Sequence, residues 1–193
     1  MSTQDKPRWY NIYGEGLILS TLATIAFLIT NACNPPLWIK YGKTTAWVFQ
    51  ETAVVCVDVP QEVQSEIFEA IYAWDTAIEK WKHLVPRLGI NNMCNYTIIE
   101  MEPDLFDNPN VLAKVDAIGG KNITLYRGRY EQDAVGITLH ELGHAFGARH
   151  MAGTLMGPKL QYNAYKCPDA ATVAQVAVVN GVDPSLLNWC QSD

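Results

Sequence analysis

Histidine is scarce in this chain, with four residues in 193. Charge is scarce too, at 18% of residues, and it is unbalanced: 14 Lys and Arg face 20 Asp and Glu, a formal net charge of −6. So little charge beside 49% apolar residues excludes a disordered chain and allows a packed core. The acidic balance and the lack of any Lys/Arg run exclude a nucleic-acid partner. No internal repeat and no low-complexity segment is present, so the chain is not a repeat array. The length suits one domain plus an appendage.

A long apolar run is also lacking. The longest uncharged one, residues 16–30, reaches about 22 Å as a helix, short of a hydrocarbon core about 30 Å thick. It follows a polar start carrying Lys6 and Arg8 and precedes Ala32, Cys33, Pro35 and Pro36. Residues 1–32 are therefore expected to be an export signal or membrane anchor, and residues 33–45 a linker. The Ala32-Cys33 junction resembles a bacterial lipoprotein signal, in which Cys33 would carry lipid. An uncleaved signal-anchor, simple secretion and a buried helix stay open as alternatives. The leading options would place residues 46–193 outside the cytosol, tied to the membrane only through the N-terminus if at all.

Five cysteines fit that compartment. With Cys33 set aside, an even four remain for two bridges. Cys56 and Cys94 lie in or beside expected strands, and Cys167 and Cys190 bracket the C-terminal segment, so these pairings are expected. Other connectivities, or four buried thiols, are the alternatives.

Three of the four histidines fall in one stretch: His140-Glu141-Leu142-Gly143-His144-Ala145-Phe146-Gly147-Ala148-Arg149-His150. Residues four apart share a helix face, so His140 and His144 can aim two imidazoles at one point. Gly147 can take positive φ, end the helix and turn the chain, which lets His150 return as a third ligand. Three nitrogen ligands leave one position of a tetrahedral Zn²⁺ open, the arrangement of a catalytic site. Glu141 then lies where a carboxylate can take a proton from water. The bland reading, a polar helix face with surface histidines, has to explain the third histidine and the glycine as accidents.

Around that stretch the pattern is α+β. Residues 47–59 read as a strand. Val63, Ile67, Ala70, Ile71, Trp74, Ile78 and Trp81 recur at helical spacing and predict a long amphipathic helix. Residues 95–101 and 123–126 read as strands, 113–118 as a short one, and 131–146 as the helix bearing the motif. Residues 169–179 form a last helix, and Asp183-Pro184 opens a short terminal one. The acids of residues 102–110, with Asp116, could hold a Ca²⁺, but they lack the alternation of an EF-hand loop and fit a solvated acidic loop better.

His140, Glu141, His144, Gly147 and His150, followed by Met156 in a turn marked by Gly153, Gly157 and Pro158, resemble the metzincin clan of zinc peptidases. The order of elements is most similar to the matrixin branch. The resemblance implies a mixed, mostly parallel twisted sheet backed by two long helices, with a Met-turn and a C-terminal helix. It also implies an edge strand formed by Ile123, Thr124, Leu125 and Tyr126 that pairs with an extended peptide. Met156 would floor the metal without binding it. The chain departs from the pattern where the stretch from His150 to Met156 is short, which implies a cramped pocket wall. It departs again at Pro158, which stands where some relatives carry a tyrosine, leaving Tyr162 and Tyr165 as candidates for that role.

The expected activity is therefore hydrolysis of peptide bonds in protein or peptide substrates by a monomeric zinc endopeptidase, with Glu141 as the base. The rival expectation is a zinc-containing protein on a peptidase fold that holds or cuts a single partner. The retained Glu141 argues against it, since a protein that only binds has no use for that carboxylate.

Overall fold

The computed structural model describes residues 51–104 and 108–190. The expected signal or anchor, the linker and Cys33 lie outside these residues. Among the described residues, no helix is long and apolar enough to cross a membrane.

The fold is α+β, with one five-stranded sheet in the order β2-β1-β3-β5-β4. Its strands are β1 (Glu51–Asp58), β2 (Lys82–Leu88), β3 (Tyr96–Met101), β4 (Ala113–Val115) and β5 (Asn122–Tyr126). β1, β2, β3 and β5 run parallel, and β4 pairs antiparallel with β5. The central β1 buries Val55, Cys56 and Val57 almost completely, as a parallel strand covered on both faces must. The helices are α1 (Gln64–Ile78), α2 (Ala134–Ala145) and α3 (Ala170–Asn180). α1 packs on α2 and against β1 and β2, and α2 also lies against β4 and β5.

Two expectations need correction. The amphipathic helix ends at Ile78, and residues 82–88, which carry no strand signal strong enough to outweigh Pro86, form β2. The proline is tolerated because β2 is an edge strand that pairs only with β1. The second concerns Ile123, Thr124, Leu125 and Tyr126. They lie in β5, which is hydrogen-bonded on both sides, to β3 and β4. The free edge next to α2 belongs to β4, whose three residues are too few to show a period.

Trp74 joins α1 to α2. Fully buried, it donates from Nε1 to the Leu139 carbonyl at 2.9 Å and meets Phe146 edge-on, with ring centroids 5.1 Å apart. Cys56 and Cys94 lie at disulfide distance, with Cα atoms 5.5 Å apart, and fasten β1 to the segment entering β3. Cys167 and Cys190 also lie within bridging reach, at a Cα separation of 5.9 Å. Both expected pairs thus lie within bridging distance by their Cα separation.

Candidate metal centre

Asp133 caps the N-terminus of α2 by accepting from the Gly136 N–H at 3.0 Å, and the helix then runs into the core with all twelve residues buried. At its far end Gly147 takes φ +94°, where an added Cβ would lie 2.7 Å from Val179 Cγ1, so the turn requires glycine. The turn brings back the exposed His150. The ring nitrogens of His140, His144 and His150 offer three ligand atoms within 4.8 Å of one another. The His144 and His150 Nε2 atoms are 3.2 Å apart.

Backbone carbonyls orient two of these rings. His140 Nδ1 lies 2.8 Å from the Leu155 oxygen, and His144 Nδ1 lies 2.8 Å from the Ala148 oxygen. A carbonyl only accepts, so each Nδ1 must carry the proton and each Nε2 must be bare. Burial lowers the His140 pKa to about 4, with the Leu155 carbonyl opposing and the neighbouring histidines assisting. It lowers His144 as well, so both rings are neutral near pH 7. A bare nitrogen on His144 facing another at 3.2 Å is favourable only with a cation or a proton between them. For a tetrahedral Zn²⁺ with Zn–N near 2.05 Å, two ligand nitrogens lie about 3.3 Å apart. The donor set therefore fits a metal ion.

Glu141 lies one residue past the first ligand, and its Oε2 is buried with no hydrogen-bond partner. Burial raises its carboxyl to about 7, against the opposing pull of the Val115 backbone N–H. An orphaned carboxylate oxygen beside three convergent imidazoles is costly as a fold element and suited to receiving a proton.

Met156 is fully buried beneath α2. A Cβ added to Gly143 would lie 2.4 Å from Met156 Sδ, so the small residue between the two helical ligands is what admits the methionine. The turn is held by Asp169, whose Oδ2 accepts from the Leu155 N–H at 2.7 Å while Oδ1 caps α3.

A cleft of about 750 Å³ opens beside the triad. Residues 109–113 form one wall and residues 157–160 with Tyr162 the other, while His140, Glu141, His150 and Ile137 form the base. Of the two candidate tyrosines, Tyr162 reaches this cleft, whereas Tyr165 lines a separate hollow with Thr154 and Gln161.

Among the described residues, the acids considered for Ca²⁺ do not assemble, and Asp107 lies outside those residues. Asp116 is engaged by Asn122 Nδ2 and the Ala117 N–H, and Glu102 pairs with Arg127. Among the described residues the histidine triad is the one group of three or more His, Cys, Asp or Glu side chains placed to hold a metal. The sequence reading did not identify the orienting carbonyls of Leu155 and Ala148, since backbone groups leave no residue-type signal. Asp169 was legible only as the start of a helix.

No protein-family model and no curated protein matches this chain. The site is therefore read from its own geometry.

Proposed function

We propose that the domain is a zinc-dependent endopeptidase of the metzincin kind, acting on extended peptides. The observation that carries the reading is the convergence of three imidazoles, two oriented by backbone carbonyls, beside the unpartnered carboxylate oxygen of Glu141. His140, His144 and His150 would hold the ion. All-nitrogen ligation with an open position favours Zn²⁺, which acidifies water and polarises a carbonyl oxygen when bound. Glu141 takes the proton from the attacking water and hands it to the leaving amine. Burial keeps that carboxylate dry and its affinity for the proton high.

The peptide would lie along β4 as an added strand, in place of the Ile123–Tyr126 edge expected from the sequence, with a side chain entering the cleft. Met156 packs under the ligand-bearing helix as its apolar floor. The two cysteine pairs at bridging distance support a site of action outside the cytosol, with residues 1–32 as the export or anchoring element.

The test is incubation of the purified, zinc-loaded protein with a diverse peptide library, with and without a chelator. Cuts across many sequences that vanish with chelator and return with Zn²⁺ are expected. An absence of cuts, with metal bound at one ion per chain, would favour a zinc-containing protein that holds or cuts a single partner instead.

A further inference from the structure

Asp133 is only 3% exposed and has no place in the chemistry above, yet both of its carboxylate oxygens are committed. Oδ1 caps α2 through the Gly136 N–H. Oδ2 accepts from the Asn163 N–H at 2.7 Å, across thirty positions of chain. Asn163 is the single non-glycine residue with positive φ among the described residues, at 55°. Asn is among the few side-chain-bearing residues that adopt this left-handed conformation readily, as in a tight turn, and the bond to Asp133 holds the turn in place. Asn163 follows directly on residues 157–162, the segment that supplies one wall of the cleft. The packing around Asp133 leaves no slack, since a Cβ added to Gly136 would lie 2.4 Å from its Oδ2.

We propose that Asp133 is a positioning residue for that wall, and so sets the size of side chain the cleft accepts; this rests on the peptidase reading above. One buried carboxylate ties the first turn of the ligand-bearing helix to the end of the wall segment, so base and wall are fixed relative to each other. A neutral amide cannot do both tasks. Asn caps a helix well with its single oxygen, but its NH₂ then faces the Asn163 N–H, donor against donor.

The test uses Asp133→Asn in the zinc-loaded protein, with Asp133→Ser as a second variant that caps but cannot reach Asn163. Amide exchange at residues 157–164 is expected to quicken at least tenfold, while α2 amides and zinc affinity stay within twofold of the parent. The relative affinity of two peptide hydroxamates, one bearing a methyl and one a phenylpropyl group at the position entering the cleft, is expected to shift at least fivefold. Unchanged exchange at 157–164, or loss spread equally over α2 and the zinc site, overturns the positioning role. Quickened exchange with an unmoved hydroxamate preference, or no hydroxamate binding at all, overturns its effect on cleft size. If hydroxamate preference shifts while the parent protein cleaves no peptide, the peptidase reading fails and the role of Asp133 stands.

Discussion

α1 and α2 pack against each other and against the same sheet, yet they bury different things. α1 is amphipathic: Ile67, Ala70, Ile71, Trp74, Ala77 and Ile78 face inward, and Tyr72 on the opposite side is 53% exposed. Its stability comes from an apolar stripe. α2 is buried all round, and Thr138, His140, Glu141 and His144 are buried with it. A helix selected for stability alone would carry apolar residues at those positions, because an unpaired buried polar group costs about 1–3 kcal/mol. The contrast separates a helix that buries an apolar stripe from one that takes polar side chains into the core with it.

The largest way to break this comparison is to remove a ligand. His144→Ala should abolish stoichiometric zinc binding and reduce peptide cleavage to background, with the fold retained by circular dichroism. The next largest effect lies on α1. Trp74→Ala should cost about 3–5 kcal/mol in denaturant unfolding, through the lost contact with Phe146 and the lost bond to Leu139. Tyr72→Ala, on the exposed face of the same helix, should stay within about 0.5 kcal/mol. Asp169→Ala should weaken zinc binding about tenfold or more. It releases the Leu155 N–H and with it the carbonyl that orients His140, a kind of support whose loss typically costs 10–100-fold.

A pH-dependent effect concerns the metal-free protein. The Glu141 carboxyl is raised in the folded state to about 7, so its stabilising contribution is complete below its ordinary value of 4.5 and is lost as pH rises through 7. Metal-free Glu141→Gln should therefore melt roughly 5 °C above the metal-free parent at pH 8, and level with it at pH 4. The lowered His140 pKa acts with the opposite sign in both proteins, removing stability as pH falls from 6.5 towards 4, and cancels from the difference. Equal melting at pH 8 would contradict the account of the Glu141 environment.

The helix face that carries His140 and His144 and the glycine that returns His150 were legible because each rests on a residue type at a fixed spacing; the two cysteine pairs, expected from their places beside strands and around the C-terminal segment, lie within bridging distance. The sequence was less informative where tertiary context decides. Residues 82–88 were assigned no element, and their strand, which contains Pro86, is one that only an edge position permits. β4 was legible as a short strand within residues 113–118, but its place at the sheet edge was not, and the resemblance put the edge at β5 instead. The roles of Asp133 and Asp169 depend on partners thirty and fourteen positions away, which no local pattern records.

The central claim is that Glu141 performs proton transfer at a metal held by the three histidines. It is tested most directly by Glu141→Gln, followed by zinc stoichiometry and cleavage of a susceptible peptide in the same preparation. The account predicts one zinc per chain, as in the parent, and a fall in kcat/KM of about 10³. Cleavage within a few-fold of the parent, with zinc bound, would contradict it.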